Sequence, residues 1–252
     1  MNGPLAGLAI SLVAVGYVWL AVSEAGERER NRQEPAPIGV TFDPGQAGGY
    51  DLLTDGGFDF VAITIDADRA GSPAVAAAVE AVEAHAPGLS YAFLVSAGEP
   101  GTVPRATLDL LERSYEGPSW FRFRGKPLVY AFGSLRPPKD DRFTFIDIHN
   151  DLSGDQYWIA DPPEIKHGLL TLVPAFQGEG TSIDPDRSGE ALERQFRFAR
   201  NNRDRVGLVL WHSWNNSSDG SAIIPHDVPG SVHPPDYVYE RVKEFNGEWK
   251  RP

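Results

Sequence analysis

No cysteine occurs among the 252 residues, which excludes both disulfides and thiol chemistry. Cations are also scarce: 23 Lys and Arg against 35 Asp and Glu leave a formal charge of −12. A surface with that imbalance repels phosphate backbones, because binding them needs clustered cations that release counterions, and nucleic acid is not an expected partner. There is no phosphate-cradling glycine loop; Gly48-Gly49 and Gly56-Gly57 read as turns. His149, His167, His212, His226 and His233 lack a metal-ligand spacing such as H-E-x-x-H, so neither a metal nor another cofactor is expected. The rest, 41% hydrophobic and 23% charged with 26 Gly and 21 Pro, is an ordinary globular composition that excludes long disorder and collagen-like repeats.

The amino terminus departs from that composition. Pro4 to Val22 carries no charge, and at 1.5 Å per residue it spans roughly 28 Å, close to one hydrocarbon core. It reads as a transmembrane helix with Tyr17 and Trp19 at the interface, followed by a polar spacer from Glu24 that ends in Pro35-Ala36-Pro37. A cleaved signal peptide is the competing reading, with small residues at Ala21 and Ser23 or at Ser23 and Ala25. The apolar run is longer than a usual signal core and no Lys or Arg precedes it, which favours the anchor. The expected organisation is an anchor over 1–23, a linker over 24–37 and one domain over 38–252. Arg28, Arg30 and Arg32 would hold that domain in the cytoplasm by the positive-inside rule. A sugar-handling role, argued below, instead favours a domain outside the cytoplasmic membrane, which is the expectation adopted.

After Pro37, eight short apolar runs alternate with helical or turn sequence. They are Ile38 to Phe42, Phe58 to Ile65, Leu89 to Val95, Pro127 to Phe132, Phe143 to Ile148, Tyr157 to Ala160, Leu169 to Val173 and Val206 to Trp211. Helices are expected over Ser72 to Ala86, Thr102 to Tyr115, Gly189 to Asn201 and Tyr237 to Phe245. Continuous apolar strands between helices argue for an α/β fold with a parallel sheet covered on both faces, and eight of them suggest a (β/α)8 barrel of the TIM type. Phe143 to Pro174 holds three runs with too little chain between them for full crossover helices. A trimmed barrel is therefore expected, with an open doubly wound sheet as the alternative.

In either architecture the ligand lies beyond the carboxyl ends of the strands. The residues there are polar: Asp43, Asp66 and Asp68, Ser96 and Glu99, Ser134, His149 to Asp151, Asp161, Gln177 and Glu179, and His212 to Asn216. Carboxylates, amides and an aromatic face are what a sugar site needs, since they bind hydroxyls in both senses and cover the apolar side of a pyranose.

Two stretches go further. Tyr115 to Phe132 reads YEGPSWFRFRGKPLVYAF, and Val173 to Pro225 contains VPAFQGEGTSIDPDRSGEALERQF and LVLWHSWNNSSDGSAIIP. Together they resemble glycoside hydrolase family 99, the endo-α-mannosidase type. In that family the first stretch leads into a barrel strand, and the eighth strand ends in a pattern close to S-W/F-N-E-W-x-E-G-x-x-I-E-P. Ser213, Trp214 and Asn215 match its S-W/F-N, Asp219 and Gly220 its E-G, and Ile223 and Pro225 the I and P of its end. Asn216 stands where the resemblance implies the first catalytic Glu, which acts as base on the sugar 2-hydroxyl. Ser217 replaces the second Trp and Ile224 the Glu before the proline.

Glycoside cleavage generally needs one group to protonate the leaving oxygen and a second, ionised carboxylate. Asp219 is the candidate acid. Asn216 accepts no proton at any relevant pH, so it can orient a hydroxyl but not act as base. Glu179, Asp43 or Asp66 would have to replace it. Asp43, Asp66, His149, Gln177, His212, Trp214 and Asn215 are the expected carbohydrate contacts. The resemblance implies a glycoside hydrolase, endo-acting on α-mannose-type or related polysaccharide, and the uncharged amino-terminal stretch would anchor it to a membrane. The alternatives are a catalytically inactive glycan binder and a tethered barrel whose rim serves another protein. An active enzyme would bring two carboxylates to about 5–10 Å with Trp214 at the pocket wall; an inactive binder would keep one.

Overall fold

The computed structural model describes residues 26, 28–29, 31, 34–46, 48–149, 159–178, 181–184, 188–228 and 231–251. The expected anchor, Asn150, Asp151 and Glu179 lie outside them. Among the described residues no helix is long and apolar enough to cross a membrane.

Seven of the eight apolar runs form parallel strands of one curled sheet: β1 (Ile38–Phe42), β2 (Phe60–Asp66), β3 (Ser90–Ser96), β6 (Lys126–Gly133), β8 (Thr144–His149), β10 (Leu169–Leu172) and β13 (Leu208–Trp211). Their spatial order is β8-β6-β3-β2-β1-β13-β10. Strand β1 pairs on one side with β2, Gly39 opposite Phe60, and on the other with the last strand, Ile38 opposite Val209. Chain neighbours stay neighbours in space, and the end of the chain returns to its beginning. A doubly wound sheet would reverse at a switch point instead, so the strand order is that of a barrel and not of a doubly wound sheet, although among the described residues β8 and β10 do not pair and the sheet is a curled half-barrel. Of the expected sixth strand, Tyr157 and Trp158 lie outside the described residues, and Ile159 and Ala160 are not strand.

Short elements complete the sheet. Strand β5 (Arg122–Phe123) runs antiparallel to β6, and β9 (Ile165–Lys166) antiparallel to β10. Strand β4 (Gly101–Thr102) pairs with β7 (Leu135–Arg136), and β11 (Phe176–Gly178) with β12 (Thr181–Ile183). Helices α1 (Tyr50–Asp55), α2 (Pro73–His85), α3 (Arg105–Tyr115), α4 (Glu190–Asn201) and α5 (Tyr237–Trp249) cover the outer face. Helix α2 starts as its sequence implies: Pro73 occupies the first turn and the Ser72 hydroxyl accepts from the Val75 amide. Helix α5 runs four residues past the expected Phe245. Trp249 is buried there and donates its indole N–H to the Ala36 carbonyl at 3.1 Å, so the last turn is held by the strand side of the molecule.

Alternation along each strand divides the core in two. Phe60, Ala62, Leu94, Leu128, Tyr130, Leu208 and Leu210 fill the concave side. Val61, Ile63, Phe93, Val129, Val209 and Trp211 meet the helices. Burial on both faces is why these strands read as unbroken apolar runs. The concave side is filled near its amino-terminal end by Phe60, stacked on Phe121 at 4.2 Å between centroids. A Cβ on Gly39 would lie 2.2 Å from the Phe60 ring, and that ring is wholly buried. Gly39→Ala is therefore expected to destabilise by about 1–3 kcal/mol through overpacking. Trimming the obstacle in Gly39→Ala/Phe60→Leu should cost less than the sum of the two single changes in urea denaturation; strict additivity would contradict the contact.

Candidate functional site

The chain leaves β13 through His212 and winds to Ala222 before reaching α5, and side chains inside this loop tie it together. Asp219 is the hub. Its Oδ1 accepts from the Ser221 amide at 2.9 Å and the Ser221 hydroxyl at 2.5 Å; its Oδ2 accepts from Asn216 Nδ2 at 2.7 Å and lies 3.3 Å from His212 Nε2. A carboxylate offers about four acceptor positions, and all four are filled by the protein. The donors are themselves fixed. The other imidazole nitrogen of His212 lies 3.1 Å from Thr41 Oγ1, so a proton on Nε2 leaves Nδ1 to accept from the Thr41 hydroxyl. Ser221 Oγ accepts from Ser213 Oγ at 2.9 Å, and Asn216 Oδ1 accepts from the Ser218 amide and hydroxyl.

Burial acts to raise the Asp219 carboxyl pKa, but hydrogen bonds from His212 and Ser221 outweigh it and hold the group below its ordinary value. Asp219 is thus an ionised acceptor. A general acid needs a proton and an open line to the leaving oxygen; Asp219 has neither in this arrangement.

Asn215 joins this loop to the one after β1. Its carbonyl accepts from the Asp43 amide at 2.9 Å, and its NH2 donates to the carbonyls of Asp43 and Gln46 at 2.9 and 3.1 Å. All of its amide is used on backbone, and only 4% of the residue is exposed, so the expected sugar contact is a loop staple. The Asp43 carboxylate closes its own turn, accepting from the Gly45 amide and from Gln46 Nε2.

Trp214 also requires correction. It was expected at the pocket wall and is wholly buried, with Phe58 and Tyr239 edge-on at 5.8 and 6.2 Å and its indole N–H on the Gly48 carbonyl. The backbone carries His212 to the concave side and Trp214 to the helix side, where it serves as core.

Other expected residues lie on the rim. Asp66, at the end of β2, is exposed and accepts from Ser96 Oγ at 3.2 Å. Gln177 on β11 exposes its side chain while its amide donates to the Asp219 carbonyl at 2.7 Å. His149 ends β8 opposite Gly133. Among the described residues no cluster of three or more His, Asp or Glu could hold a metal. Thr41 and Ser221 were not among the expected site residues, and Ser213 was expected only as a strand-end and motif residue. Thr41 is the only polar residue in β1 and faces the concave side, the one signal that could have singled it out.

No protein-family model and no curated protein matches the chain. Among solved structures, two of the family 99 endo-α-mannosidase from Bacteroides thetaiotaomicron superpose well. One matches with a TM-score of 0.60 at 12% identity, covering 79% of this chain and 78% of that one. The second, in complex with Bis-Tris-propane, gives 0.64 at 10% identity, covering 84% and 96%. The chain shares the fold of these family 99 structures. Within it, the loop that follows the last barrel strand carries Asn216 and Asp219 as mutual partners, not as two carboxylates facing a ligand.

Asp219→Asn replaces one acceptor oxygen with an NH2 that must face either the Ser221 donors or the His212 and Asn216 donors. The expected cost at neutral pH is about 1–3 kcal/mol. A carboxyl held below its ordinary pKa stabilises the fold above the unfolded-state value, and that contribution fades as pH falls through the folded-state value. The gap between parent and variant should be widest near pH 7 and narrow in acid. Urea titrations showing equal stability at pH 7 would refute the hub role.

Proposed function

We propose that this chain is a membrane-tethered, family 99-type barrel that binds α-mannose-type or related carbohydrate at the carboxyl ends of its strands without cleaving it. The observation that carries this reading is the filled Asp219 carboxylate. Hydrolysis by the loop after β13 would require one Asp219 oxygen to lose its donors and pick up a proton, and Asn216 supplies no base. Carbohydrate as the ligand class is supported by the likeness to an endo-α-mannosidase. The rim adds exposed Asp66 and Gln177, hydrogen-bonding groups of both senses.

The tether is the uncharged stretch Pro4 to Val22, and the domain is placed outside the cytoplasmic membrane, where polysaccharide is found. Reporter fusions to the carboxyl terminus test that placement: a reporter active only in the cytoplasm would reverse it.

Incubation of the full chain with a panel of α-linked manno-oligosaccharides should show binding by calorimetry and no release of reducing ends. Gln177→Ala should weaken binding about 2–10-fold, the loss of one hydrogen bond. Turnover that disappears in Asp219→Asn would overturn the proposal in favour of a hydrolase, and absence of any glycan binding would remove the carbohydrate role.

A further inference from the structure

The amino-terminal end of the barrel, opposite the rim, carries its own pattern. Two tight hairpins lie there, β5–β6 and β9–β10, and each turns on a basic residue followed by glycine: Arg124-Gly125 at φ 55° and 82°, and His167-Gly168 at φ 52° and 80°. Asn or Asp is the usual first residue of such a turn, because a long side chain rarely adopts positive φ. Both turns therefore place a large cationic or protonatable group at a tip where a smaller residue fits better. They flank a cleft of about 640 Å³ that also takes in Arg28, Asn31, Glu34 and Arg205. The two hairpins and the cleft carry six basic side chains, Arg28, Arg122, Arg124, Lys126, Lys166 and Arg205, against the acids Glu34, Glu164, which pairs with Lys166, and Asp204, and Glu116 adds a fourth acid at this end. This is a local cation excess on a chain whose formal charge is −12.

The linker approaches the barrel on this same face. Asn31 donates to the Asp204 carbonyl at 3.3 Å, and Pro35 to Pro37 line the cleft before β1 begins. Asn31 lies nine positions beyond Val22, the end of the uncharged stretch. That span reaches roughly 14 Å as a helix and about 30 Å at most when extended. A membrane helix ending at Val22 thus leaves the basic face within reach of the headgroups, while the rim points the other way.

We infer that the amino-terminal end of the barrel is a docking face for the anionic phospholipid surface of the membrane that holds the anchor. Clustered Lys and Arg are attracted to such a surface over about a Debye length. The docked barrel presents its strand ends, and whatever binds there, away from the bilayer. The inference rests on the anchoring reading above and on no assumption about carbohydrate.

The chain has no cysteine of its own, so a single introduced one labels uniquely. Full-length Glu116→Cys, at the amino-terminal end, and Glu99→Cys, at the rim, carry a donor dye and are reconstituted into vesicles with an acceptor on the lipid headgroups. The vesicles are phosphatidylcholine with about one third phosphatidylglycerol, or phosphatidylcholine alone. Transfer from position 116 should be at least about twofold stronger than from position 99 in the anionic vesicles. The contrast should shrink in neutral vesicles and in the Arg122→Glu/Arg124→Glu/Lys126→Glu variant, with flotation alongside the vesicles unchanged. A chain that floats but shows equal transfer from both positions overturns the docking face and leaves the anchor standing. A chain that fails to float overturns the anchor and the docking face together.

Discussion

The carboxylate of Asp219 sets the shape of the rim. Four protein donors from three residues, His212, Asn216 and Ser221, converge on its two oxygens, and they tie other pieces of chain to the loop. His212 brings the end of β13 and, through Thr41, the middle of β1. Ser221 brings the return of the loop and Ser213. The Asp219 carbonyl takes the Gln177 amide and so holds the β11–β12 hairpin. Asn215 adds a second tie to the loop after β1. Charge-assisted hydrogen bonds are individually stronger than neutral ones, and a network of this kind fixes one arrangement because removing any donor leaves a partly buried charge underserved.

Sequence periodicity reads the scaffold well and the site poorly, for a physical reason that particular residues show. Strand runs such as Phe58 to Ile65 and Leu89 to Val95 are legible because burial on both faces forces an apolar side chain at almost every position, and the observed β2 and β3 differ from them by one or two residues. The caps are legible too, Ser72-Pro73 most clearly. Trp214 shows the limit. A tryptophan after a barrel strand suits a sugar platform and a core position equally, and only the direction the backbone takes after His212, which no local pattern encodes, decides for the core. Asn215 is similar: its residue type fits a hydroxyl contact, yet the backbone groups of Asp43 and Gln46, more than 160 residues away in the chain, use all of it. Thr41 and Ser221, which no motif singled out, are small hydroxyls whose roles arise only from the convergence on Asp219.

The amide at position 216 separates the arrangement seen here from one in which two carboxyl groups face each other. A glycosidase must keep two carboxyl groups apart with open faces toward the substrate, one of them protonated, and a partly buried carboxyl with unfilled acceptor positions costs stability. A carboxylate at position 216 would stand in contact with Asp219 and raise the pKa of one of the pair by like-charge repulsion. An amide there donates to Asp219 and receives Ser218 on its other side. The backbone then holds a neutral–anionic pair, and its hydrogen bonds order the loop. Stability and activity draw on the same donors in this loop: every hydrogen bond that holds Asp219 ionised is one it cannot offer to a leaving group.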